Sequence, residues 1–470
     1  MKETVIRLGL CPTRRDVFVR ETAIEFSKKI RTQLVGYPIE LIDIDDINEE
    51  GLLFSDKDIE PIIRRFRNTE IDALFIPHCN FGSENRIARV AAALKVPVLL
   101  WGPQDDAPDE NGFRNRDSQC GLFASGKMLR RYNVPFTYLT NTPYDSQDFK
   151  VGFDKFLRVV SVVKAFKEIC ILQISTRPEA FGSVMCNESE LLERFGVRCV
   201  PITLDDLVRA MNQAIEEKST EFKAVCAQIK KISAEHPEPE LSMIAGLKIA
   251  MRKLAEQNGC TAVAIQCWNA LQNMTNIVPC LANALLTDDG LPVVCETDIC
   301  GAITAIMTQA ADFNRQPQFF ADITVRHPEN PNAELLWHCG NFPYSLAKNP
   351  SSAHAGRNRY NGDRYGIAEW QLKDGDLTIA RFDGDHGNYT LLIGEAKTTD
   401  GPKNVGSYVW IETKNWPMWE HRLVEGPYIH HVSGIYGHYG EILMEACKYI
   451  PGLTPDIVEP SEAALRQRWI

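Results

Sequence analysis

Glu296 and Asp298 lie two positions apart in LPVVCETDICGAITAIMTQAA, where a buried strand gives way to a helix. The C-terminal end of such a strand is where open α/β sheets form ligand crevices. Oxygen donors placed there suit Mg²⁺ or Mn²⁺. The same two residues could instead serve the helix, Asp298 as its N-cap and Glu296 against its dipole. The pair His430-His431 in GPYIHHV offers imidazole, a common ligand for a borderline cation. If the two alternate along a strand, one ring points inward and the other outward. His327 in TVRHPEN and His338 in LLWHCGN flank strand-like segments, where lone histidines are more often structural. His78 to Glu84 (HCNFGSE) ends another buried strand, and WGPQDD with Gln104 ends the next. Two neighbouring strand ends make a crevice that Glu84 and Gln104 would share. Neither GxGxxG nor a P-loop is present, so nucleotide binding has no specific support.

What must position these groups is a run of alternating strands and helices. TVIRLGLCP (4–12), IELIDID (39–45), DALFIPHCN (72–80), VPVLLWGP (96–103) and VPFTYLTN (134–141) are short apolar segments ending in turn formers. Helical stretches separate them, among them ENRIARVAAAL with Ile87, Val90, Ala91 and Leu94 on one stripe. Strands that are apolar throughout and separated by helices predict a parallel sheet covered on both faces. A second such unit begins near residue 168 with EICILQIS, VRCVPIT, TAVAIQCW and LPVVCE. After about residue 318 the pattern alternates with period two, broken by turns such as KDGD and DGDHGN. The expected fold class is α/β: two consecutive parallel-sheet domains, 1–167 and 168–317, the second carrying the acidic site, then a C-terminal antiparallel β-barrel-like domain, 318–470. The polar stretch NPSSAHAGRNRYNGDRYG holds Arg357, Arg359 and Arg364. It reads either as a surface loop or as a loop that binds an anion or a partner.

The chain carries 62 acidic and 51 basic residues, a net charge of -11. That balance argues against broad nucleic-acid binding, which needs an excess of Lys and Arg, but leaves room for a local basic pocket. The 14 cysteines are scattered, many in apolar runs, without a CxxC pair. They read as reduced thiols in a cytoplasm-like compartment. No segment has the roughly 18 continuous apolar residues of a membrane helix, and MKETVIRLGLCPTRRD does not read as a signal peptide. The expectation is a soluble cytoplasmic protein with neither nucleic acid nor membrane as a partner.

Blocks along nearly the whole chain resemble, in order, the L-fucose/L-arabinose isomerase family. They are NFGSENRIARVAAALKVPVLLWGPQDD, QCWNALQNMTNIVPCLANALLTDDGLPVVCETDICGAI, FADITVRH, LLWHCGNFP, DLTIARFDGDHGNYTLLIGEAK and GPYIHHV. The resemblance implies an aldose–ketose isomerase with two α/β domains and a C-terminal β domain. It implies a divalent cation, Mn²⁺ or else Mg²⁺, and a homo-oligomer, hexamer or trimer, with sites near subunit interfaces. As metal ligands it implies Asp298 or Glu296, with Asp298 favoured, then His431 over His430, and His327. Glu296 and Asp298 would also move the proton of a cis-enediol mechanism. The sugar would meet Trp268, Asn269, His430 and Arg359, and strand-end position offers Glu84 and Gln104 of an adjacent subunit. One departure stands out. The family has a further carboxylate ligand upstream of the ETD segment, where this chain has Asn269, and no acidic residue lies between Cys260 and Thr287. Asp288 and Asp289 are the candidates to replace it. Three classes therefore stay open: a metal-dependent isomerase, a lyase, epimerase or isomerase of an anionic or modified sugar, and a non-catalytic sugar-binding protein.

Overall fold

The computed structural model describes residues 3–233, 235, 237–358 and 362–469. Two compact units are present: Thr4–Lys164 with Ala463–Ile470, and Ala165–Glu462 with Met1–Glu3. The first holds β1 (Ile6–Leu10), β2 (Ile39–Ile42), β3 (Ala73–Pro77), β4 (Val98–Trp101) and β5 (Thr137–Tyr138) in a parallel sheet of order β2-β1-β3-β4-β5. Every residue of β3 and β4 is buried, which is why these segments show no polar alternation. Local chemistry sets the helix ends. Ser55 and Asp58 form a reciprocal capping box ahead of Asp56–Asn68.

The second unit contains a four-stranded parallel sheet and a nine-stranded one. The first is built from β6 (Cys170–Ile174), β7 (Arg198–Ile202), β8 (Ala262–Ile265) and β9 (Val293–Val294), in the order β7-β6-β8-β9. The other comprises β10 (Phe319–Arg326), β11 (Ala333–His338), β12 (His354–Asn358), β13 (Arg364–Gln371), β14 (Asp376–Asp385), β15 (Asn388–Thr399), β16 (Ser407–Glu412), β17 (His431–Tyr436) and β18 (Leu453–Glu459). Its order is β12-β13-β16-β11-β10-β17-β14-β15-β18. The expected antiparallel, barrel-like arrangement holds in part: β16-β11-β10-β17-β14-β15 are antiparallel neighbours throughout, whereas the flanking pairs β13–β16 and β15–β18 are parallel, so the sheet as a whole is mixed. Among the described residues, closure is limited to a three-residue pairing of Lys397–Thr399 on β15 with β16. Period-two alternation reports a half-buried strand but not the direction of its neighbour. β18 returns parallel to β15 because the chain crosses over through the helices Trp416–Glu425 and Gly440–Cys447. The polar stretch around residue 358 is not a simple loop, since β12 pairs with the start of β13 within it. Arg359 lies outside the described residues.

The helix Ile299–Ala310 positions the acidic segment. All twelve of its residues are buried, as expected of a helix without a polar face. It packs between the parallel strands β6, β8 and β9 and the strands β10, β14 and β17. Each isoleucine buried there stabilises the fold by about 1.5–3 kcal/mol. Gly301, in its first turn, has no room for a side chain: a Cβ would lie 2.6 Å from both Asp298 Oδ2 and the Phe320 ring. Among the described residues no helix is long and apolar enough to cross a membrane. All fourteen cysteines are free.

Candidate functional site

β9 ends at Val294, and the chain reverses through Glu296 and Thr297, both left-handed at φ 55° and 56°. Non-glycine residues held this way cost about 1–3 kcal/mol each and cluster at functional sites. The turn aims the Glu296 carboxylate at three neighbouring strands. Asp322 on β10 lies directly opposite His431 on β17, and His338 closes the adjacent β11. His431 Nε2 lies 3.7 Å from Glu296 Oε2 and 3.4 Å from Asp322 Oδ1. His338 Nε2 lies 3.8 Å from Glu296 Oε2 and 4.0 Å from Asp322 Oδ1. Two imidazoles and two carboxylates thus alternate around one point.

None of these four separations is a hydrogen bond. A buried structural ion pair closes to about 2.7–2.9 Å, whereas Glu296 Oε2, Asp322 Oδ1 and His338 Nε2 are buried with no hydrogen-bond partner. Unsatisfied buried polar atoms are rare in folded proteins and point to an ion or water. Ligand bonds of ~2.0–2.2 Å place neighbouring donors roughly 3–3.6 Å apart, close to the spacing seen. Two oxygen and two imidazole donors suit a borderline divalent ion. The residues present therefore fit a divalent cation, held by Glu296, Asp322, His338 and His431. Burial opposes the charge on Glu296, but the nearby His338, with His431 behind it, outweighs that and lowers its pKa. Burial likewise opposes charge on His338, yet Asp322 and its other neighbours push its pKa well above that of free imidazole.

Asp298, favoured from sequence as the carboxylate ligand, has both oxygens occupied. Oδ1 accepts from Gly301 N (2.8 Å) and Arg381 Nη2 (3.2 Å). Oδ2 is bonded to Arg381 Nη1 and to His431 Nδ1 (2.9 Å). It is the N-cap of Ile299–Ala310, the alternative that its position ahead of the helix had offered. Its contact with His431 Nδ1 leaves Nε2 of that ring facing Glu296 and Asp322, the arrangement that fixes the orientation of a ligating histidine. Arg381 is 1 % exposed and also binds Asp383, through Nε at 2.9 Å and Nη2 at 2.8 Å. Burial opposes the Asp298 charge, but Arg381 and His431 hold its carboxyl far below the usual range. Burial pushes the Asp383 carboxyl up.

The other sequence candidates divide. His327 sits near the hairpin turn, about 17 Å along β10 from Asp322 at the usual rise per residue. Its Nδ1 accepts from the backbone N–H groups of Glu329 and Asn330 and its ring rests on Trp410. The inward-facing middle histidine is His338 instead. His430 is exposed, with its ring 4.5 Å from that of His431. One nitrogen of each ring lies within 4.8 Å of Asp322. Trp268 does reach the site: its indole N–H donates to Glu296 Oε1 at 2.9 Å, beside Cys267 Sγ at 3.3 Å. Asn269 is exposed on the adjoining turn. Asp288 binds Ser345 and Asp289 pairs with Lys248, so neither supplies a carboxylate here. A carboxylate does lie at the site downstream of the ETD segment, that of Asp322. Glu84 and Gln104 belong to the Thr4–Lys164 unit. Glu84 pairs with Arg15 at 3.5 Å, and the exposed Gln104 is tied through its backbone to Thr142 and Arg116. His78 is buried against Ser125 Oγ (2.8 Å), and burial pulls its pKa down to about 4.

Comparison with known proteins matches these features to two family descriptions. Residues 9–167 match the N-terminal domain of fucose/sulfoquinovose isomerase, and residues 336–452 match the C-terminal domain of L-fucose isomerase. Among curated relatives, the sulfoquinovose isomerase of Priestia aryabhattai is 25% identical over 405 residues, covering 85% of this chain and 88% of that protein. The sulfoquinovose isomerase of Alkalicoccus urumqiensis is 26% identical over 335 residues, 71% of this chain and 73% of that protein. That of Clostridium sp. (strain MSTE9) is 24% identical over 347 residues, 73% and 76% of the two chains. This chain belongs to the fucose/sulfoquinovose isomerase family of sugar isomerases.

Proposed function

We propose that this protein interconverts an aldose and a ketose with the help of a divalent cation, Mn²⁺ foremost, and that its substrate is a sulfonated hexose of the sulfoquinovose type. The ring formed by Glu296, Asp322, His338 and His431, in which Glu296 Oε2, Asp322 Oδ1 and His338 Nε2 lack hydrogen-bond partners, carries this reading. When bound, the cation supplies Lewis-acid polarisation of the sugar oxygens at C1 and C2. Glu296 and Asp322 flank the place where those carbons would lie. One carboxylate takes the proton from C2 as its C–H bond breaks, the C1 carbonyl becomes a hydroxyl, and a proton returns to C1 as the C2 hydroxyl becomes the new carbonyl. Asp298 holds His431 in place and takes no proton, because its oxygens are already bonded to Arg381, His431 and Gly301. Trp268 orients Glu296 through its indole N–H and offers a flat face to the sugar. The alternatives of a lyase or epimerase and of a non-catalytic binder rest on Asn269 standing where the family has a carboxylate, and the first of them also on the arginine-rich loop; Asp322, beside Glu296, favours the isomerase over both. A homo-oligomer, hexamer or trimer, in a reducing cytoplasm completes the reading.

The test is incubation of sulfoquinovose, L-fucose and L-arabinose with the Mn²⁺-loaded protein in D₂O, followed by NMR. The expected result is conversion of sulfoquinovose to its 2-ketose with deuterium entering at the exchanged carbon. No ketose from any of the three sugars would reject the isomerase reading. Asp298→Asn, which keeps the shape but weakens the hold on His431, is expected to lower Mn²⁺ affinity about 10–100-fold, as read by calorimetric titration.

A further inference from the structure

Arg364, the first residue of β13, is held, among the described residues, by neutral groups. Its Nη1 donates to Gln272 Oε1 (3.2 Å) and its Nη2 to Asn273 Oδ1 (2.8 Å). Among the described residues it forms no ion pair with a carboxylate, in a chain whose net charge is -11. Both partners lie on the helix Ala270–Thr275, which directly follows Trp268 and Asn269. Gln272 is buried and is fixed at its other end, Nε2 donating to the Cys267 carbonyl at 2.8 Å. Cys267 Sγ in turn touches Glu296 Oε1 at 3.3 Å. The guanidinium is therefore tied, through one side chain, to the wall of the donor ring. Asn269, on the intervening turn, is held at φ 60° and ψ -65°, the kind of strain found at ligand clamps. A guanidinium has five N–H groups, and two are used.

Among the described residues, Arg357 and Arg364 do not form one cluster. Across β12 and β13, Arg357 pairs with Tyr365 while Asn358 pairs with Arg364. Successive residues face opposite sides of a sheet, so Arg357 faces with Tyr365, over whose ring it lies, away from Arg364.

We propose that Arg364 is the anchor for an oxyanion, sulfonate or phosphate, carried by the end of the sugar remote from the reacting carbons. Charge-assisted, two-pronged bonds to tetrahedral oxyanions are what a guanidinium does best. An extended carbon chain gains about 1.2 Å per bond, which places an oxyanion on C6 roughly 8 Å from C1. Contacts through Cys267 and the Gln272 side chain connect Glu296 to Arg364. This proposal rests on the isomerase reading of the donor ring.

Steady-state kinetics of the Mn²⁺-loaded wild type, R364Q and R364K with sulfoquinovose, D-glucose 6-phosphate and neutral D-glucose test it. The expected result is a KM for the anionic sugar about 10–100-fold higher in R364Q, a smaller change in kcat, and partial recovery in R364K. The ratio of anionic to neutral kcat/KM should fall by a similar factor, while the Mn²⁺-induced rise in Tm matches wild type. Loss with sulfoquinovose alone assigns a sulfonate, and loss with D-glucose 6-phosphate alone assigns a phosphate. An unchanged KM, or equal losses on anionic and neutral sugars, would overturn the proposal. Should the wild type convert none of the sugars, the isomerase reading fails, and calorimetric binding of sulfoquinovose to wild type and R364Q still decides the role of Arg364.

Discussion

Glu296→Gln is expected to abolish tight Mn²⁺ binding and to cut sugar isomerisation by at least about 10²–10³-fold, the range for losing one electrostatic contact to a transition state. The amide has the shape of the carboxylate and can still accept the Trp268 indole N–H that now binds Oε1 at 2.9 Å. What it lacks is the charge at Oε2, the atom buried without a partner and facing both imidazoles. Thermal unfolding separates this from a folding defect. A ligand at 100 times its Kd stabilises the folded state by about 2.7 kcal/mol. Wild type should show such a rise with Mn²⁺, and Glu296→Gln should show none while still unfolding cooperatively. A full Mn²⁺ response in the variant would remove Glu296 from the cation site.

Arg381→Met should have the largest effect on stability. The guanidinium is buried between Asp298 and Asp383. Methionine fills much of its volume but leaves two buried carboxylates without their shared countercharge. Breaking a buried pair in this way costs about 3–5 kcal/mol, measurable by denaturant unfolding at pH 7. The sign of the pH dependence follows from linkage. In the wild type the lowered Asp298 pKa contributes stability above the ordinary carboxylate range, and that stability is lost as pH falls through the folded value. In Arg381→Met both carboxylates can protonate at higher pH, so the deficit against wild type should shrink as pH is lowered. A deficit below about 1 kcal/mol at pH 7 would mean that the network contributes no more than a surface ion pair.

Much of the fold could be read from the chain because buried parallel strands and amphipathic helices print their periods directly. The helix expected over ENRIARVAAAL is Glu84–Leu94. Strand direction in the C-terminal region is set by long-range pairing, so β13–β16 and β15–β18 came out parallel against expectation. Glu296 and His431 were marked by type and position, and they face each other. Asp322 was missed, although an acid inside the apolar run FFADITV was a signal, since such a side chain needs a partner when buried. That partner, His431, lies 109 residues away and is supplied only by the β10–β17 register. His327 was preferred to His338 from the family pattern, but the two stand at opposite ends of the β10–β11 hairpin. The family resemblance favours Asp298 as the ligand, and its sequence position suits a helix cap equally well, because the two roles share one sequence signature. What separates them is Arg381, whose place beside Asp298 is fixed by packing between the helix Ile299–Ala310 and β14.

In the proposed function Glu296, Asp322, His338 and His431 together hold one divalent cation. Anomalous scattering from crystals of the protein grown with Mn²⁺ tests it most directly. The account predicts a single strong peak bonded to Glu296 Oε2, Asp322 Oδ1 and the Nε2 atoms of His338 and His431. A peak on Asp298 or between Cys267 and Cys295, or no peak at saturating Mn²⁺, would contradict it.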